Sequence, residues 1–291
     1  MSTKKNKYPD SLKEFAATLL FYSPAAYDYT RSVICGLPHP ETVRQWFKKF
    51  DFEPGINAVV LKSIQEEAVK FKKKHNKEIQ FGLQVDEMHI KKCIETDGRT
   101  TYGFVDLGTG ITDDSDEATS ALVFMLVALN AHFKTPVAYY FINGLGALER
   151  ANITNHILTT LADYQIHNVR CLTFDGTSIN IAMAESLGAN FDIDSYASFE
   201  HPDNKKPIYI ILDACHMVKL IRNTISEYNL IDGDQNIIDW AHINNLVYMQ
   251  EQDGLHCGTK IRRRHINFSR EKMKVKLAVQ VLSKSTSDAL S

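Results

Sequence analysis

Three short apolar runs in this chain of 291 residues stop on an aspartate: FGLQV before Asp86, VRCLTF before Asp175 and PIYIIL before Asp213. Each has the length and the Val, Ile and Phe content of a buried strand. The second and third are followed by segments of helical periodicity, TSINIAMAESLG and HMVKLIRNTISEY. Strands alternating with helices confine a chain to a sheet covered by helices. Ligands and reactive groups gather at the strand ends of such sheets. An aspartate there has two readings. It caps the helix or turn that follows, or it meets a second carboxylate across the sheet edge.

The flanking pattern fills in the sheet. KKCIET and TYGFVDLG around DGRT read as a hairpin. ATSALVFMLVALNAHF reads as a strongly apolar helix, VAYYFI as a strand and ALERANITNHILTTLADYQ as a helix. The fold class expected is α/β, a mixed sheet flanked by helices. A small helical unit precedes it over residues 9–50. Ser23 is placed to cap a helix that starts at Pro24, and Pro38 and Pro40 lead into a helix with Val43, Trp46, Phe47 and Phe50 on one face. Three short helices in tight succession suggest a helix-turn-helix, with Arg44, Lys48 and Lys49 facing DNA. A plain helical packing module remains the alternative. Residues 57–77 form an amphipathic, Lys-rich helix.

Composition excludes several classes. At 44% hydrophobic and 23% charged residues the chain is globular. No apolar run approaches the ~20 residues of a membrane-spanning helix, so no membrane partner is expected. Five cysteines without a CxxC pair argue against a disulfide framework or zinc ribbon, and for a reducing compartment. Net charge is −2, so no global basic field advertises nucleic acid. Charge is local instead. KIRRRHINFSREKMKVK, residues 260–276, holds eight Lys or Arg against one Glu and is either a solvated helix face or a phosphate contact. TDDSDE at 112–117 reads as a loop leading into a helix near Glu117.

Two carboxylates brought together repel unless a cation lies between them, and hard oxygen donors with open positions suit Mg²⁺. Two such ions ~3.5–4 Å apart stabilise both oxygens of a phosphoryl displacement. Asp86 and Asp175 are the candidate pair. Receiver and hydrolase folds also carry strand-end aspartates. Asp213 is assigned to capping and Cys215 to burial. Glu87 points away from Asp86 by the two-residue period of a strand.

Five stretches carry a family resemblance: YSPAAYDYTRSVICGLPHPETVRQW, VDEMHI, LTFDGTSIN, ILDACHMVKLIRNTI and HINFSREKMKVKLAVQVLSKSTSDAL. In this order, over most of residues 15–291, the sequence resembles transposases of the P-element superfamily, the group that includes THAP-domain transposase-like proteins. The resemblance implies an RNase H-like domain over 79–228 after a linking helix at 51–78, and the start of a GTP-binding insertion domain over 229–291. It implies Asp86 and Asp175 as catalytic, metal-binding carboxylates, two Mg²⁺ ions, and Lys274 and Val275 as nucleotide contacts. There is no GxxxxGK[ST], so GTP would not sit on a P-loop. The implied partner is double-stranded DNA at transposon ends, with a homo-oligomer and nuclear location. The family's zinc finger and third carboxylate, a glutamate, are not matched; Glu227, Glu251 and Glu271 do not occupy its place. The expected function is therefore a P-element-type transposase fragment with ancestral Mg²⁺-dependent strand cleavage and transfer, inactive alone. The alternative is a non-catalytic, domesticated DNA-binding or protein-interaction module. Residues from about 258 onward are expected to pack poorly, and GTP binding to be weak.

Overall fold

The computed structural model describes residues 8–47, 53–96, 101–110, 116–192, 196–228, 230–254 and 259–291. The chain forms two compact units, residues 1–53 and 54–291.

The first unit is helical: α1 (Asp10–Tyr22), α2 (Pro24–Val33) and α3 (Pro40–Phe47). Pro24 cannot donate a hydrogen bond, and the first turn of a helix does not need one. The Ser23 hydroxyl accepts from Ala26 N at 3.1 Å and completes the cap of α2. Ala16, Leu20, Tyr27, Leu37 and Val43 form the small core. The Tyr27 hydroxyl, buried there, donates to the Pro38 carbonyl at 2.7 Å and pins the turn before α3.

The second unit is built on a seven-stranded mixed sheet. It begins with β1 (Gly55–Ile56) and α4 (Ala58–His75), capped by the Asn57 side chain. Then come β2 (Phe81–His89), a miniature hairpin of β3 (Glu95–Thr96) and β4 (Thr101–Tyr102), and the long hairpin of β5 (Ser120–Ala128) and β6 (Lys134–Ile142). The chain continues through α5 (Ala147–Asp163), β7 (Val169–Phe174), α6 (Ser178–Ser186), β8 (Ser198–Glu200) and β9 (Pro207–Leu212) to α7 (Ala214–Glu227). Strand order is β1-β6-β5-β2-β7-β9-β8. β2 lies at the middle, antiparallel to β5 and parallel to β7, and β7 is parallel to β9.

One face of this sheet is the core. Leu83 and Val85 of β2, Leu122, Phe124 and Leu126 of β5, and Leu172 and Phe174 of β7 are buried with Ile157, Leu158 and Leu161 of α5 and Met183 of α6. Each such side chain contributes about 1.5–3 kcal/mol relative to leaving it in water. The opposite face is open at its middle: Gln84, Asp86 and Met88 are exposed, as are Tyr209 and Ile211. Gly82 is required where β2 and β7 close up at a bulge, since a Cβ there would lie 2.9 Å from Cys171 Sγ.

After α7 come a second small hairpin, β10 (Leu230–Ile231) and β11 (Ile237–Ile238), and the helices α8 (Ala241–Asp253), α9 (Arg263–Ile266), α10 (Val275–Val281) and α11 (Lys284–Leu290). α10 packs on α7, and α11 on α8.

Four expectations change. Residues 120–128 are strand β5, not helix; a continuous apolar run has no helical stripe, and a central strand buried on its core face gives the same pattern. Glu117 does not start a helix but bridges Phe104 antiparallel on the way into β5; residues 111–115 lie outside the described residues. Cys215 is exposed, because it sits in the first turn of α7, where its N–H meets the Asp213 cap, and not in the core. The terminal segment packs better than expected: Leu277, Ala278 and Val281 are buried, while Val279 and Leu282 remain exposed. The partners for its apolar stripe come from α7, already within the chain.

Candidate functional site

β2 and β7 run side by side in parallel, with Leu83 level with Leu172 and Gln84 with Thr173. Two residues beyond Gln84 and Thr173 stand Asp86, still in β2, and Asp175, just past the end of β7. Adjacent strands lie about 4.8 Å apart, and residues two apart share a face. Asp86, three residues before the end of β2, and Asp175, in the loop after β7, therefore stand at matching positions just beyond the parallel β2–β7 pairing.

Their surroundings differ. Asp86 is exposed, and its Oδ1 accepts from Glu87 N at 2.9 Å. Asp175 is held more tightly. Its Oδ1 accepts from Thr177 N at 3.3 Å, Thr177 Oγ1 at 2.7 Å and Asn180 Nδ2 at 2.6 Å. Partial burial pushes this carboxyl up, but the Thr177 and Asn180 hydrogen bonds favour the ionised form and win, with help from His216, so its pKa lies below the ordinary value. Among the described residues no hydrogen bond falls on Oδ2 of either aspartate. Each thus presents one committed oxygen and one open one.

Glu87 points the other way. Its Oε2 meets Arg150 Nη2 of α5 at 2.5 Å, and Ser120 of β5 also hydrogen-bonds it. Burial raises the Glu87 carboxyl; Arg150 and Ser120 outweigh that and hold it below its ordinary value. Ser120 Oγ lies 3.0 Å from His89 Nδ1. Arg150 Nη1 reaches Asn180 Oδ1 at 3.4 Å.

The third strand-end aspartate has a different task. Asp213 Oδ1 accepts from Cys215 N and Oδ2 from His216 N, both at 3.1 Å. Both oxygens cap α7, as the sequence suggested. That cap sets His216 near Asp175, and Met217 against the loop: a Cβ on Gly176 would come 2.7 Å from Met217 Cε.

A divalent cation suits the donor set of Asp86 and Asp175. Mg²⁺ binds through one or two carboxylates and retains waters. Among the described residues no group of three or more His, Cys, Asp or Glu side chains could hold a metal ion. Glu227, Glu251 and Glu271 are engaged elsewhere, with Lys272, Arg263, and Arg264 together with Lys274.

The remaining candidates are scattered. Arg44 of α3 is exposed and lies 3.6 Å from Glu41; Lys48 and Lys49 lie outside the described residues. Lys274 precedes α10 and is paired with Glu271, and Val275 is half-buried in the first turn of α10. Four of the eight basic residues at 260–276, Arg263, Arg264, Lys272 and Lys274, pair with acids. Sequence reasoning missed Thr177, Asn180 and Arg150. Thr177 and Asn180 stand two and five residues after Asp175, the spacing of a turn that hydrogen-bonds back to its aspartate. Arg150 had no local signal, because its partners are distant in sequence.

Comparison with known proteins agrees with the architecture. Residues 1–46 match the model of the transposable element P transposase-like HTH domain, residues 52–188 the TNP-like RNase H N-terminal domain, and residues 215–291 the TNP-like GTP-binding insertion domain. The chain is 29% identical over 291 residues to the DNA transposase THAP9 of Homo sapiens, and 25% over 269 residues to the transposable element P transposase of Drosophila melanogaster. These matches cover 98% and 92% of this chain but 32% of each relative, so the chain spans about a third of their length. Among solved structures it matches the Drosophila P element transposase strand transfer complex, with a TM-score of 0.76 at 22% identity, over 98% of this chain and 60% of that one. The sheet with its helices is RNase H-like, preceded by a helical unit.

Proposed function

We propose, since this chain belongs to the P-element transposase-like family, that Asp86 and Asp175 are two of the carboxylates that hold divalent metal ions for cleaving and joining DNA strands. The observation that supports this most is the parallel β2–β7 pairing, since both residues stand two positions beyond its last pair, Gln84 and Thr173. When bound, such ions stabilise the entering and leaving oxygens of an in-line displacement at phosphorus.

The chain's own residues prepare that site. Thr177 and Asn180 favour the ionised form of Asp175 and leave its Oδ2 open. Asp86 offers a second hard oxygen from an exposed position. The metal assigned is Mg²⁺, whose further positions suit water and DNA phosphate oxygens. We assign double-stranded DNA as substrate, in line with the transposases the chain resembles, and the nucleus as its compartment. Arg44, Lys48 and Lys49 are assigned to phosphate contacts, Lys274 and Val275 to GTP. Since Lys274 is paired with Glu271, a nucleotide phosphate has to compete with that carboxylate. A homo-oligomer is part of the same proposal.

Titration of Mn²⁺, a common stand-in for Mg²⁺, into the purified chain tests the reading. Asp86→Asn and Asp175→Asn are each expected to weaken binding at least about tenfold. Equal affinity in the parent and both variants would overturn it and leave a DNA-binding module without metal chemistry.

A further inference from the structure

We infer that Arg150 is a positioning residue that sets both carboxylates, Asp86 and Asp175, acting through Asn180 on one side and Glu87 on the other. The inference rests on the metal reading of Asp86 and Asp175.

Arg150 lies on α5, only 4% exposed, and its guanidinium is engaged on three sides. Nε donates to the Leu145 carbonyl at 3.0 Å, Nη1 to Asn180 Oδ1 at 3.4 Å and Nη2 to Glu87 Oε2 at 2.5 Å. The planar fork is rigid, so fixing one nitrogen orients the other two.

The Asn180 contact carries the argument. An asparagine amide has one accepting end and one donating end. Arg150 can only donate, so it takes Oδ1. That leaves Nδ2 for Asp175, which it reaches at 2.6 Å. With the amide reversed, Oδ1 would face a carboxylate oxygen, and both contacts would become repulsive. Arg150 therefore selects the amide orientation that holds Asp175 Oδ1 and leaves Oδ2 open. Asn180 is itself 7% exposed, so little water is available to replace the lost donor.

The Glu87 contact acts on the other aspartate. Glu87 and Asp86 are neighbours on one strand and point to opposite faces. Anchoring Glu87 to Arg150 and Ser120 fixes the pleat at that step and keeps Asp86 turned to the open face. One buried cation thus spans β2, α5 and α6 and sets both donors. Groups that orient metal ligands in this way change metal affinity although they never touch the metal.

A merely structural ion pair would alter stability and leave the affinity of the folded protein alone. The test is a double-mutant cycle on the full chain, with Mn²⁺ alone as probe and thermal melting as the check on folding. Arg150→Lys keeps a charge for Glu87 but loses the fork; Asn180→Ala removes the donor to Asp175. Each is expected to weaken Mn²⁺ binding about 10- to 100-fold. The double variant is expected to bind no more weakly than Asn180→Ala, because Arg150→Lys keeps the charge for Glu87 and both changes then cut the one path through Asn180. Affinities within about twofold of the parent, or additive losses, would overturn the inference. Should Arg150→Lys fail to fold, Arg150→Gln takes its place in the cycle and is read by the same criterion. Asp86→Asn and Asp175→Asn separate the two levels. If these abolish binding while the Arg150 and Asn180 variants do not alter it, the metal reading stands and the positioning role falls. If they leave binding unchanged, both fall.

Discussion

Arg150 and Glu87 form an ion pair at 2.5 Å across the core side of the central sheet, with the arginine side chain 4% and the glutamate side chain 27% exposed. Removing one partner of such a pair strands the other charge. Breaking a buried pair costs about 3–5 kcal/mol, and the part-exposed edge of Glu87 puts this one near the low end. Glu87→Ala is expected to lower unfolding free energy by about 3 kcal/mol in a urea titration. A loss below about 1 kcal/mol, the level of a surface pair, would show that water already shares this contact.

The assignment of residues 120–128 to a strand predicts alternating sensitivity. Phe124 is fully buried on the core face, and Phe124→Ala is expected to cost about 3–5 kcal/mol. Val123 and Val127 are half-buried on the other face, so their alanine variants are expected to cost less than about 1.5 kcal/mol. A helical pattern of sensitivities, with maxima three and four residues apart, would contradict the strand.

This segment shows where sequence reading stops. VAYYFI, VRCLTF and PIYIIL were legible because each is short, bounded and rich in β-branched or aromatic residues. SALVFMLVA is uniformly apolar, and period alone does not separate a buried strand from a buried helix. The place of Asp175 just past a strand was legible from where its apolar run stops; Asp86 instead lies inside β2, which runs on to His89. The opposite orientation of Glu87 was legible from strand alternation, but its reason was not: Arg150 stands 63 residues further on, and only the fold brings the two together. Asp213 was legible as a cap because two residues of helix follow it at once. The packing of Leu277 on α7 was not, because the expectation looked for partners outside the chain.

Asp213 provides a control for the site. Its two oxygens are spent on the backbone of α7, so Asp213→Ala is expected to lower stability by about 1 kcal/mol. Mn²⁺ affinity is expected to stay unchanged. A loss of affinity equal to that of Asp175→Asn would make Asp213 a ligand and contradict its capping role.

Glu271 gives a pH signature. Hydrogen bonds from Arg264 and Lys274 hold its carboxyl down at about 2, from an ordinary value of 4.5. A depressed folded-state pKa stabilises the fold above the unfolded value and loses that contribution as pH falls through the folded one. The melting temperature of the parent should therefore exceed that of Glu271→Gln at pH 6, and the gap should close between pH 4.5 and about 2. High salt should narrow it too, since these side chains lie at the surface. A gap that widens on acidification would contradict the pairing.

The central claim is that Asp86 of β2 and Asp175, just after β7, share a cation. Anomalous diffraction from crystals of the chain grown with Mn²⁺ tests it directly. The account predicts a Mn²⁺ peak within coordination distance of Oδ2 of both aspartates, with Thr177 and Asn180 still on Asp175 Oδ1. A peak elsewhere, or none at these aspartates at Mn²⁺ concentrations that saturate binding in solution, would contradict it.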